Sequence, residues 1–148
     1  MNEKQVLFLC TGNYYRSRYA EEFFNHLAAL ERLDWISFSR GLAEELSPEN
    51  VGPMSSFALQ ALQTRGIAAQ GSRRYPILCT AADFSKVKLV VALKEAEHRP
   101  MIESRFPREA RNIVYWDVDD IAFLDPSIAL GKIDNLVLRL VRQLAERR

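Results

Sequence analysis

Four apolar stretches punctuate the chain: residues 5–10, 35–39, 87–93 and 112–116. Each is short, nearly continuous in apolar residues and free of proline. That pattern predicts strands of a parallel sheet covered on both faces. Between them the apolar spacing lengthens to the helical period. Tyr19, Ala20, Phe23, Phe24, Leu27 and Leu30 recur along one helix face. Residues 54–65, closed by Gly66, predict a second helix with a glycine cap. Residues 95–105 predict a third, interrupted near Pro100. Ile133, Leu136, Val137, Leu140, Val141 and Leu144 form a stripe on a C-terminal helix. Strands alternating with helices predict a doubly wound α/β fold with a four-stranded parallel sheet flanked by helices. The segment 41–53 reads as a surface loop.

The first strand leads straight into candidate chemistry. The run Cys10-Thr11-Gly12-Asn13-Tyr14-Tyr15-Arg16-Ser17 is a Cys-x5-Arg-Ser signature between a strand and a helix. It lies at the carboxyl edge of the predicted sheet, where such folds bind ligands. Helix N-termini and nearby cations favour the thiolate of a cysteine. Successive loop N–H groups converge into an anion nest, and the helix dipole adds to the attraction. Gly12 permits close approach to a ligand, and Asn13 tolerates a left-handed backbone. Arg16 offers a planar fork that matches two phosphate oxygens. Ser17 is placed to donate its hydroxyl to the Cys10 sulfur. A thiol, an anion nest and a guanidinium at one helix N-terminus predict a site that binds a tetrahedral oxyanion and attacks it. Residues 11–17 are the expected phosphate-binding loop.

These residues resemble the low-molecular-weight protein tyrosine phosphatases, whose pattern is an apolar strand, Cys-x-Gly-Asn-x-x-Arg-Ser, then a helix with Ala-Glu. Cys10, Gly12, Asn13, Arg16, Ser17 and Ala20-Glu21 match it. Ser39-Arg40-Gly41 stands where the family has Ser-Ala-Gly. The segment 58–66 resembles the family helix that ends in Gly-Ile. Residues 80–84 and 89–93 resemble its Thr-x-x-Asp-Phe segment and third strand. The resemblance implies hydrolysis of phosphotyrosine or related aryl phosphate monoesters through a phosphocysteine, with Cys10 as nucleophile and Arg16 holding the phosphate. It also implies an Asp in an Asp-Pro loop after the fourth strand as general acid. Asp120 follows the strand directly, within Val118-Asp119-Asp120; the only Asp-Pro is Asp125-Pro126. A residue at the strand end is held over the neighbouring loop, which favours Asp120 and leaves Asp125 and Asp119 as alternatives. Asp125-Pro126 also suits the start of the last helix.

Several positions depart from the family. Tyr15 replaces the second loop cysteine of many members, so their protective disulfide is not expected. Arg18 replaces the usual proline and is expected to add positive charge near the mouth. Ile121-Ala122 stand where tyrosines often follow the acid, so Tyr14 and Tyr15 are the candidate aromatic surface. Ser39 is a candidate partner of Asn13 or a structural residue elsewhere.

The 148-residue length predicts one domain over 1–148. A formal net charge of +1 gives no case for nucleic acid or membrane binding. Two cysteines fit a reducing, cytoplasmic setting rather than a disulfide scaffold. No cluster has metal-ligand spacing, so neither metal nor cofactor is expected. His26 and His98 read as surface residues. The expected partner is a phosphotyrosine protein or a small aryl phosphate; oligomeric state is not encoded in any visible motif. The alternatives are a thiol-dependent arsenate reductase, a phosphocarrier and a non-hydrolytic phosphate- or phosphotyrosine-binding module. The region 94–101 lacks the further cysteines of the thioredoxin-coupled reductases. Arg16 with a candidate acid favours full turnover over carriage or binding.

Overall fold

The computed structural model describes residues 3–147. In chain order the elements are β1 (Lys4–Cys10), α1 (Arg16–Leu30), β2 (Trp35–Gly41), α2 (Ser56–Thr64), α3 (Ala81–Ser85), β3 (Leu89–Ala92), α4 (Glu95–Arg105), β4 (Ile113–Tyr115) and α5 (Pro126–Glu146). The four strands form one parallel sheet in the order β2-β1-β3-β4. β1 is therefore central, and its last residue, Cys10, pairs in register with Gly41 of β2.

The pleat divides the apolar runs between two cores. Val6, Phe8, Cys10 and Val91 point to the side covered by α1, α2 and α5. Leu7, Leu9, Val90 and Ala92 point to the other side, against Phe84, Ile102 and Ala110. Residues 6–9 of β1 are fully buried. Burial on both faces is why these strands read as continuous rather than alternating.

The α5 stripe is buried as predicted, with Leu136 only partly so. Its start is a capped turn: the Asp125 carboxylate accepts from Ser127 N–H at 2.9 Å, and Pro126 takes the first helical position. Ser55 caps α2 in the same way, and Gly66 follows α2 at φ +74°. On α1 the predicted face holds except at its end, where Leu30 is exposed.

Two corrections concern α4. Pro100 lies inside the helix without interrupting it. Proline at the sixth helical position forfeits one backbone hydrogen bond, and Ile102 packs fully buried just beyond it. His98, expected at the surface, is fully buried. Its Nδ1 accepts from the Lys94 N–H at 3.0 Å, and its Nε2 lies 3.2 Å from Thr11 Oγ1. Those partners make burial of an imidazole acceptable.

Candidate active site

The loop between β1 and α1 closes around its own hydrogen bonds. Asn13 adopts φ +52°, the left-handed conformation that turns the loop. Its fully buried amide donates to Ser17 Oγ and to Ser39 Oγ, both at 2.9 Å. The amide oxygen accepts from Arg74 and from Ile77 N–H, both at 3.0 Å. Ser39, left open between two roles by sequence, is thus a partner of Asn13. It donates in turn to Glu21 at 2.6 Å. Gly41 is required here because a Cβ would come within 3.0 Å of the Thr11 carbonyl and 3.2 Å of Asn13 Cβ.

Cys10 Sγ lies 2.9 Å from Ser17 Oγ, the contact expected of the motif. Since Asn13 donates to the same hydroxyl oxygen, the Ser17 proton is free to point at the sulfur. Cys79, the other cysteine, is buried in the opposite core, and burial pushes its thiol up to about 12.

Arg16 is almost completely buried, and its fork is clamped by neighbouring acceptors. Glu97, on α4, accepts from both terminal nitrogens, at 3.1 and 2.6 Å. The Val118 carbonyl accepts from Nη1 at 2.8 Å. Burial alone would weaken the guanidinium's charge; the Glu97 hydrogen bond, with the fields of Cys10 and Asp120, reverses that and raises its pKa. Glu97 also accepts from Thr11 Oγ1, and its Oε2 sits 3.1 Å from His98 Nε2. Burial would push the Glu97 carboxyl up. Hydrogen bonds from His98, Arg16 and Thr11 outweigh it and hold the group well below the usual carboxylate range. Burial keeps His98 below its ordinary value.

The three candidate acids separate in space. Asp120 Oδ2 is 3.6 Å from Arg16 Nη2. Asp119 pairs at 3.1 Å with Lys94, which also binds Asp117. Asp125 is committed to capping α5 through Ser127. A cavity of about 340 Å³ is lined by Cys10, Thr11, Gly12, Tyr14, Tyr15 and Arg16 of the loop and by Asp120 and Ile121 across from it. Ser47, Asn50, Ser55, Ser56 and Phe57 complete it, so the segment 41–53 flanks the site. The Tyr14 hydroxyl donates to the Val51 carbonyl at 2.5 Å, tying that segment to the loop.

Arg18 overturns an expectation. Only 1 % exposed, it adds no charge to the mouth. Its guanidinium donates to the carbonyls of Asn13, Pro53, Gly71 and Arg74 at 2.7–3.3 Å, stitching the loop to two neighbouring segments. Glu97, His98 and Arg74 escaped the sequence reading. One signal was available for the first two: a helix that follows the strand beside β1 places its first turn at the same sheet edge.

Comparison with known proteins agrees with this geometry. No curated protein matches the chain. The solved low molecular weight protein tyrosine phosphatase of T. tengcongensis is 26% identical with a TM-score of 0.79, covering 95% of this chain and 99% of that one. A mutant of YwlE from Bacillus subtilis is 27% identical with a TM-score of 0.76, covering 98% of each chain. A second YwlE structure, 26% identical with a TM-score of 0.75, covers 97% of this chain and 94% of that one; it is an arginine phosphatase in which a Cys-to-Ser mutant carries a phosphorylated active-site serine. Residues 5–125 match the model of low molecular weight phosphotyrosine protein phosphatases. The chain belongs to that family of cysteine-dependent phosphatases.

Proposed function

We propose that this phosphatase hydrolyses phosphotyrosine or a related aryl phosphate through a phosphocysteine on Cys10. The carrying observation is that Cys10, Arg16 and Asp120 line one cavity whose walls include Tyr14, Tyr15, Phe57 and Ile121. Flat apolar walls suit a phenyl ring above a phosphate. The Cys10 sulfur attacks phosphorus while Arg16 and the loop N–H groups hold the equatorial oxygens, where charge accumulates. The S–P bond forms as the P–O bond to the phenol breaks. Asp120 delivers its proton to the departing oxygen. Ser17 stabilises the sulfur as it is later displaced. Water then attacks the phosphocysteine, with Asp120 as base, and releases phosphate.

The phosphorylated serine of the YwlE mutant supports attack from this loop position in a relative. Its arginine substrate is not carried over, because the walls here favour an aromatic ring. No metal or cofactor takes part in this scheme. Among the described residues no helix is long and apolar enough to cross a membrane. The proposed setting is the cytoplasm and the proposed partner a phosphotyrosine protein or small aryl phosphate.

The test is turnover of phenyl phosphate, whose leaving oxygen needs a proton, in the presence of a chelator. Asp120→Asn is expected to lose about a hundredfold or more, while Asp119→Asn and Asp125→Asn stay near wild type. Collapse of Asp125→Asn with Asp120→Asn intact would transfer the acid role to Asp125.

A further inference from the structure

Among the described residues two buried side-chain polar atoms have no hydrogen-bond partner: the hydroxyls of Tyr15 and Tyr115. Tyr115 lies under the Arg99 guanidinium and lines no part of the cavity around Cys10. Tyr15 does line it, and it is only 6% exposed. Its ring packs in the core beneath the loop, which fixes where the hydroxyl can go. A buried hydroxyl without a partner is costly and uncommon in folded proteins. One that faces a ligand cavity points to a partner that arrives during the reaction.

The charged groups facing it identify that partner. Arg16 at the start of α1 and Asp120 from the loop after β4 line the cavity with it, and Asp125 at the cap of α5 adds its field. Burial, followed by the field of Asp120, pushes the Tyr15 hydroxyl up to about 12, so it keeps its proton and acts as a donor near neutrality. Asp125 is occupied by Ser127. Asp120 binds its own neighbour, the Ile121 N–H, through Oδ1 at 2.9 Å, and rests Oδ2 3.6 Å from Arg16. An entering phosphate competes for that same guanidinium. The guanidinium's other contacts, with Glu97 and the Val118 carbonyl, are shorter hydrogen bonds at 2.6–3.1 Å. Asp120 then loses its cation, and Tyr15 Oη is a donor on the cavity wall with no other bond to give up.

We propose that Tyr15 is a positioning residue: its hydroxyl donates to the Asp120 carboxyl once substrate phosphate occupies Arg16, aiming the acid at the leaving oxygen. This rests on Asp120 being the general acid. In the transfer the Cys10 S–P bond forms and the P–O(aryl) bond breaks with its electron pair on oxygen. The proton moves from Asp120 to that oxygen, and Tyr15 retains its own.

The experiment is a double-mutant cycle of Tyr15→Phe and Asp120→Asn, read as kcat/KM on phenyl phosphate and p-nitrophenyl phosphate. The first leaving group needs full protonation; the second is a stable anion. Tyr15→Phe is expected to lose about tenfold on phenyl phosphate and less than threefold on p-nitrophenyl phosphate, with no further loss in the Asp120→Asn background. Because phenylalanine keeps the ring, Tm is expected to stay level or rise. Equal losses on both substrates, an undiminished loss in the Asp120→Asn background, or no loss at all would overturn the proposal. Full turnover by Asp120→Asn would overturn it together with the acid assignment, leaving Cys10 chemistry standing. A wild type without turnover on either substrate would instead remove the phosphatase mechanism.

Discussion

The loop at residues 10–17 and the segment at residues 116–125 meet across one cavity, yet they are built in opposite ways. The first is mostly buried, and its Asn13, Arg16 and Ser17 side chains are all hydrogen-bonded. Asn13 and Ser17 are fully buried, Arg16 is 2% exposed, and the Asn13 amide makes four hydrogen bonds. The second carries four aspartates held by surface contacts. Asp117 and Asp119 lean on Lys94, Asp125 caps a helix, and Asp120 touches Arg16 at 3.6 Å. A nucleophile loop must hold N–H groups and a guanidinium in place before the oxyanion forms, since fixed dipoles need no reorganisation. The proposed acid, Asp120, must instead follow the leaving group and return as base, which a loosely tethered carboxylate permits.

The largest disturbance comes from the buried half. Asn13→Ala removes four hydrogen bonds and leaves a non-asparagine residue at φ +52°. It is expected to cost about 3 kcal/mol of stability, measured by urea unfolding, and to lower kcat/KM on aryl phosphates. A stable, fully active Asn13→Ala would mean that the loop holds its shape without this lattice.

A smaller change comes from the Glu97 clamp. Glu97→Gln keeps the shape but weakens its hold on Arg16, and about a tenfold loss of kcat/KM is expected. The same variant alters acid stability. The folded Glu97 carboxyl is held below its ordinary value of 4.5. It therefore contributes stability above that pH, lost as pH falls through the lower folded value. His98, held below 6.5 in the folded state, also costs stability as pH falls through that value. Glu97→Gln is expected to flatten the drop below pH 4.5 and, because the Glu97 carboxylate supports a protonated His98, to steepen the His98 part below pH 6.5. Parallel pH–stability curves for wild type and Glu97→Gln would show that the clamp contributes nothing there.

The same contrast governs how much was readable in the sequence. Residues 10–17 are contiguous, so the motif, its strand and its helix could be read together. The buried strands and the α5 stripe were legible because pleat and helical period leave a local trace. Residues remote in sequence left none. Glu97 is 81 positions from Arg16, and Arg74 is 61 from Asn13. α4 is mostly polar, so nothing in its pattern marked Glu97 and His98 as buried partners of the loop. Arg18 looked like a surface charge because the four carbonyls that satisfy it come from three separate segments. The acid was ambiguous for a related reason. Sequence left three candidates, Asp119, Asp120 and Asp125, and they differ in their three-dimensional commitments: a lysine pair, a guanidinium and a cap.

The most direct measurement is rapid quenching of the wild-type protein during turnover of an aryl phosphate, followed by peptide mapping of the phosphoryl group. A burst of phenol equal to the enzyme present is expected, with the phosphoryl group on Cys10 and no turnover by Cys10→Ser. A phosphoryl group on any other residue, or turnover persisting in Cys10→Ser, would contradict Cys10 as the nucleophile.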